Sequence, residues 1–368
     1  MKSIVWPTII AALIAVLSAC SQPEPLRELA ITTEPMPLLV GTTQTLELHV
    51  EPERFRNTIE WTSSNEDVAL VDENGIVFGL ASGTTTIRAA QRGNRALVAE
   101  VEVEVITGLM GAPGLPFTLE IDTNSLVDNG LMWPFALGLT GKGTIVVEWG
   151  DGKRTIHTNP SQPIAHTYPH AQRYTITVSG ALQQASLTGG VHVRINPSAP
   201  VSPQSALRRV LSWGDHEFIS LANAFESARS LTEVPDHLPP TVTDLTATFA
   251  GTMAFNQPLA NWDTRNVTSM RQTFWAASEF NQPLNTWNTS NVTTMSQMFF
   301  GATAFNRPLN KWDTSKVTNM AQMFYLAIKF KQDLSGWCAE SVPKEPIMFF
   351  PLSPFPTIAG PQWGQPCK

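Results

Sequence analysis

Charge is scarce in this sequence. Only 15% of its 368 residues are Asp, Glu, Lys or Arg, the net charge is -7, and there is no basic run. A nucleic-acid partner needs clustered Lys and Arg, so the composition argues against one. Paired carboxylates, a Ser/His/Asp set and a His/Cys cluster at metal-ligand spacing are also missing, so the sequence predicts no catalytic residue, no bound metal and no cofactor. Cysteine occurs three times. No apolar run is long enough to be a comfortable membrane span, the longest being residues 4–17. What is abundant is proline, with 28 copies, and tryptophan, with 11. That composition suits a loop-rich, β-rich or repeat-rich exported protein, and the length suits two or three domains.

The N-terminus has the layout of a secretory signal over residues 1–19, with Lys2 ahead of the uncharged apolar run. The run ends in Leu17-Ser18-Ala19-Cys20, which resembles the bacterial lipobox. That resemblance implies cleavage before Cys20, lipidation of Cys20 and a membrane contact through the lipid anchor. Ser21 stands where an Asp would suggest inner-membrane retention, so the implied location is the cell envelope, at an outer membrane and exposed on the surface. Residues 20–28 then form a polar, proline-rich tether. In this exported setting Cys338 and Cys367 are expected to form a disulfide; a reactive thiol or a metal pair is the sharper alternative. Closing a loop of about 30 residues contributes about 3 to 4 kcal/mol on the chain-entropy model.

Residues 29–106 alternate apolar and polar over short runs at 45–50, 85–89 and 98–105, separated by turns such as Glu73-Asn74-Gly75. Period-two runs at this spacing predict an antiparallel β-sandwich. The stretch Ile59-Glu60-Trp61-Thr62-Ser63-Ser64-Asn65, with Gly75-Ile76-Val77 and Gly83, resembles the bacterial Ig-like domain of invasins and intimins, which implies a spacer or display module. After a Gly/Pro-rich linker at 107–116, a second β-domain is predicted over 117–196, with strands near 117–121, 144–149, 174–178 and 191–195. Its Val147-Glu148-Trp149-Gly150-Asp151-Gly152 turn, followed by His166-Thr167-Tyr168 and Tyr174-Thr175-Ile176-Thr177-Val178, is similar to the PKD (polycystic kidney disease) fold, although the 122–143 insertion departs from it. His157, His166, His170 and His192 read as structural or solvent-facing. Asp151 reads as a turn former with no partner near in sequence.

Beyond a linker at 197–206, residues 207–338 repeat. Phe-Asn-Gln-Pro-Leu begins at 255 and 280, returns as Phe-Asn-Arg-Pro-Leu at 305, and fades to Phe-Lys-Gln-Asp-Leu at 330. Phe249, Phe274, Phe299 and Phe324 keep the same interval of 25, as do Trp262, Trp287, Trp312 and Trp337. A fixed period of this size marks a solenoid whose units bury apolar faces only by stacking. Trp213 and Phe225 suggest a degenerate first coil, for about six in all. Val267, Met270, Thr273, Phe274 and Ala277 fall at helical spacing after the candidate caps Thr264 and Asn266, and Leu284 and Trp287 suggest a short strand. The predicted coil is therefore one helix and one strand. Asn256, Asn281 and Asn306 read as a ladder bonding adjacent coils, and Asp263, Asn288 and Asp313 as capping or turn residues more economically than as calcium ligands. Two prolines at 343 and 346 end the array, and residues 339–368 read as a cap.

The motif Phe-Asn-Gln-Pro-Leu-x-x-Trp-Asp-Thr-x-Asn-Val-Thr-x-Met resembles the repeat of the BspA-like leucine-rich-repeat surface proteins. The fold class expected is thus multidomain, two all-β Ig-like and PKD-like sandwiches followed by an α/β leucine-rich-repeat-type solenoid. The resemblance implies a non-catalytic surface protein that contacts an extracellular protein or glycan. An envelope protein without an external ligand, and an accessory to a glycan- or protein-acting hydrolase, are the alternatives. One candidate binding feature follows from the repeat. Trp275, Phe300 and Tyr325 each follow a stripe phenylalanine; if the helix continues they point outward as a ladder, and if it stops they tuck under the next coil.

Overall fold

The structure, a computed structural model, describes residues 25–106, 115–128, 130–180, 182–187, 203–350 and 359–366. The signal segment, Cys20, His192, Cys367 and the strand expected over 191–195 lie outside these residues. Among the described residues there is no α-helix, and none is long and apolar enough to cross a membrane.

The first unit consists of small β-sheets packed face to face. Strands Leu38–Leu39, Asn94–Ile106, Gly83–Gln91 and Ile59–Ser63 form one sheet; Thr43–Thr45, Ile76–Gly79 and Ala69–Val71 form another. Glu28–Ile31 pairs with Leu48–Glu51 beside them. Alternation sets the inner face: Thr85, Ile87 and Ala89 are buried within Gly83–Gln91, Ile87 in a core with Val77 and Val103, and Ala89 in a second one with Leu29 and Val50. Gly75 closes the turn at φ +79°, where a Cβ would lie 2.8 Å from both the Leu46 carbonyl oxygen and the Trp61 ring. Only glycine fits there.

The second unit has a five-stranded sheet in the order Arg154–Thr158, Thr144–Glu148, Arg173–Gly180, Phe117–Asp122, Leu207–Trp213. Facing it, Leu139–Lys142, Gln183–Leu187 and Phe218–Ser220 make a three-stranded sheet. The 122–143 insertion is structured, with Val127–Asp128 paired to Leu131–Met132 and Phe135–Leu137 paired to Ile164–His166. Leu207–Trp213, where the array begins by its sequence, is hydrogen-bonded along Phe117–Asp122. One buried core consequently runs from Phe117 and Trp149 through Trp213 and Phe218 to Phe324, Trp337 and Phe349. The first coil stacks directly on the sandwich.

The array itself corrects the expected α/β leucine-rich-repeat class. It is a stack of turns, with neither the helix predicted over 264–277 nor a strand at 284–287. The reason lies in where the backbone N–H groups go. Those of Met270, Gln272, Phe274 and Ala276 donate to the carbonyls of Thr294, Ser296, Met298 and Phe300 in the next coil, at 2.6 to 3.0 Å. Those of Trp275 and Ala277 donate three residues back within the coil. This alternation requires a left-handed residue at every fourth position, and Gln272 (φ 58°), Ala276 (φ 52°), Gln297 (φ 58°) and Gly301 (φ 67°) supply it. A right-handed helix cannot pass through such residues. Strand-like pairing appears instead as single parallel bridges linking Ser220, Asp244, Ser269, Thr294 and Asn319.

Aromatic columns fill the coils. Phe274 and Phe299 stack at 5.6 Å, Phe280 and Phe305 at 6.1 Å, and Trp262 and Trp287 at 6.3 Å, all within 10° of parallel. The indole N–H groups of the tryptophan column are satisfied, those of Trp262, Trp287, Trp312 and Trp337 donating to the carbonyls of Pro235, Leu259, Leu284 and Leu309 at 2.9 to 3.0 Å. At the far end Phe349 meets Phe324 nearly perpendicularly, at 87°, and Cys338–Ala339 pairs in parallel with Gln362–Trp363.

Candidate functional site

The polar residues of the repeat are occupied in holding coils together. The side-chain oxygens of Asn256, Asn281 and Asn306 accept the backbone N–H groups of Asn281, Asn306 and Lys331 at 2.9 to 3.1 Å. Asp263, Asn288 and Asp313 each accept the N–H two residues on, closing tight turns. Thr264 and Asn266 do not cap a helix; they donate to the carbonyls of Asn288 and Pro240 in neighbouring coils. A second ladder escaped the sequence reading. Gln272 donates to Gln297 at 2.8 Å, and Gln297 donates to Gln322 at 2.6 Å. Its trace in the sequence is a glutamine at the same interval of 25, two residues after Met270, Met295 and Met320.

Trp275, Phe300 and Tyr325 form a column on the surface of the array. Trp275 and Phe300 stack at 5.8 Å and 20°, and Phe300 and Tyr325 lie 5.4 Å apart at 45°. Trp275 is 37% exposed, and the other two rings are half-buried. The outward ladder forms without the helix from which it was inferred, because each ring ends a tight turn begun by a left-handed glutamine. In the preceding coil the matching residue is Ala250, followed by Gly251. No ring stands there, so the face of Trp275 turned toward that coil has no aromatic neighbour in the column. Leu326 and Ile328, both exposed, extend the apolar surface beyond Tyr325.

A different cluster lies in the second sandwich. Asp151 does form a turn, accepting the Lys153 N–H at 3.1 Å, but its other oxygen accepts from Nε2 of His166 at 2.9 Å. Both side chains are nearly buried, 2% and 9% exposed. Burial pushes the Asp151 carboxyl up; the hydrogen bonds from His166 and from the Lys153 N–H, with the charges of both residues, outweigh it and hold the group below the ordinary carboxylate value. His166 stacks on Trp149 at 4.5 Å, and the Tyr168 hydroxyl donates to the Trp149 carbonyl. No hydroxyl or thiol nucleophile is hydrogen-bonded to this pair among the described residues, so the pair reads as a clamp on the turn. His157 bonds Thr155 and His170 is exposed.

His216 sits where sandwich and array meet. Its Nδ1 accepts the Leu182 N–H at 3.1 Å, Phe117 and Phe218 flank the ring, and its Nε2 is buried with no hydrogen-bond partner. Burial lowers its pKa to about 4. Cys338 begins the strand pair that covers the last coil.

Fold and surface together define a repeat solenoid of stacked turns built on the end of a β-sandwich, with an Ig-like unit ahead of it. Comparison with known families covers the Ig-like unit and most of the array. Residues 28–101 match the bacterial Ig-like domain (group 2), and residues 243–358 match the family described as Mycoplasma protein of unknown function, DUF285. Over 69 residues the chain is 44% identical to a 3-O-alpha-D-galactosyl-alpha-L-arabinofuranosidase of Bifidobacterium longum subsp. longum, a match covering 18% of this chain and 6% of that protein. The chain thus matches only a small segment of that relative.

Proposed function

We propose that the chain is a display protein of a bacterial cell envelope, lipid-anchored through Cys20 at an outer membrane, whose array makes a non-catalytic contact with an extracellular protein or glycan. The two sandwiches, the second read as PKD-like, act as spacers, and a Cys338–Cys367 disulfide seals the far end. The observation that carries this reading is the surface column of Trp275, Phe300 and Tyr325. The other repeated rings are buried in the stack. Rings left at the surface in register add little to the core and offer an apolar ridge, as contact sites for sugars and peptides do. The small share of the arabinofuranosidase that is matched supports a common accessory segment and no transfer of its activity.

The test is a glycan and matrix-protein binding array with the chain from residue 21 onward, because Leu207–Trp213 belongs to the sandwich and a shorter piece would lose its partner strand. Trp275→Ala and Tyr325→Ala are expected to weaken the best binder by about tenfold or more, as centrally placed aromatics do. A change of less than about twofold for every ligand bound, with folding intact by circular dichroism, removes the column from the binding surface.

A further inference from the structure

In this array, packing positions repeat and free positions drift. Against that regularity, three places in the last two coils depart from the repeat in one direction. Arg307 stands where the earlier coils have Gln257 and Gln282, Lys331 where they have Asn256, Asn281 and Asn306, and Lys329 where they have Glu279 and Ala304. Each departure replaces a neutral or acidic side chain with a cation. The three lie together, lining a groove of about 530 Å³ with Asn281, Asn306 and Ile328, floored by Phe330. No carboxylate lines it, and among the described residues none of the three cations forms an ion pair. Arg307 is held in place through Nε, which donates to the Asn281 carbonyl at 2.9 Å, and that bond leaves its terminal N–H groups as further donors.

This groove adjoins the aromatic column. Ile328, on its edge, is three residues along the coil from Tyr325, so their Cα atoms are at most about 11 Å apart. A cationic trough next to exposed rings, on a chain of net charge -7, selects the ligand class. The acidic remainder repels a densely charged polymer such as a nucleic acid, while a chain with widely spaced anions can place a few in the trough. Sugar C–H groups then lie along the ridge of Trp275, Phe300 and Tyr325. We infer that the ligand of the array is a linear acidic polysaccharide, its carboxylate or sulfate groups held by Arg307, Lys329 and Lys331. This inference rests on the proposed role of the column in binding.

The experiment measures binding of the chain from residue 21 onward to polygalacturonate, heparin, dextran and poly-glutamate. Polygalacturonate is expected to bind, to lose affinity by about tenfold or more between about 50 and about 300 mM NaCl, and to lose about tenfold or more again in Lys329→Glu/Lys331→Glu. Both substitutions are at exposed positions, and an unchanged melting temperature confirms the fold. Binding of heparin alone overturns the inference, since a densely charged chain is the kind that the acidic remainder should repel. Equal binding of poly-glutamate overturns it, since any polyanion would then suffice. Binding of dextran or a matrix protein but of neither acidic polysaccharide overturns it while leaving the surface-contact role standing; binding of nothing at all sinks both.

Discussion

His216 shows how one side chain couples the sandwich to the array. With its folded pKa lowered to about 4 from 6.5, the neutral ring is the form that fits. The unfolded chain binds the extra proton between those values, so stability is full above about pH 6.5, falls as pH drops toward 4, and levels off below. Acid is expected to remove up to about 3 kcal/mol over that window, measured by urea unfolding at each pH. His216→Gln, which keeps an acceptor for the Leu182 N–H, is expected to flatten that part of the profile. An unchanged slope would place the titration elsewhere. Residue chemistry of this kind was hidden in the sequence. Asp151 and His166 are 15 positions apart and meet only because their strands fold into one sandwich. The cations of the groove depart from the repeat, but only the structure gathers them in one place.

At the scale of the element, each coil is held by left-handed residues as much as by its rings. Gly301 has φ 67°, and a Cβ there would meet only ordinary contacts at 3.6 Å or more. Gly301→Val should therefore cost about 1 to 2 kcal/mol through backbone conformation alone, and Gly301→Asn much less. Chemical denaturation of the two variants checks this, and equal stability would mean the coil relaxes to another turn. The same residues explain why the coil was misread. Successive tight turns bury a residue every three or four positions, so Val267, Met270, Phe274 and Ala277 imitate one face of a helix. Periodicity reports which side chains are inside and is silent on whether N–H groups bond four residues back or to the next coil. The period of 25, the burial of both phenylalanine columns and the Asn ladder were all legible, because they follow from stacking alone. The glutamines at 272, 297 and 322 were the overlooked sign, each placing a polar amide at a turn beside the core.

Over the whole molecule, the shared core makes sandwich and array one mechanical piece. Leu70 and Phe78 of the Ig-like unit touch Val146 of the second unit through a separate, smaller cluster, and Arg154 bonds Asp67 at 2.9 Å across the same contact. Residues 115–350 are therefore expected to unfold in one cooperative step, with the Ig-like unit able to open by itself. Phe299→Ala, a cavity in mid-array costing about 3 to 5 kcal/mol, should lower amide protection in Phe117–Asp122 as well as in the coils. Protection lost from the coils alone would show that the array melts independently.

The two ends of the stack carry a last consequence. Coils joined by backbone hydrogen bonds along one axis would, if left open, offer bare donors and acceptors on which a second molecule could add, as in fibril growth. The near end is covered by Leu207–Trp213 and Phe218–Ser220 in the sandwich sheets. At the far end Phe349 turns its ring across the column of parallel phenylalanines, and Pro343 and Pro346 bring no N–H to continue the ladder. Such a stack is thereby kept from adding a second copy of itself at either end, and its length is set by the chain itself.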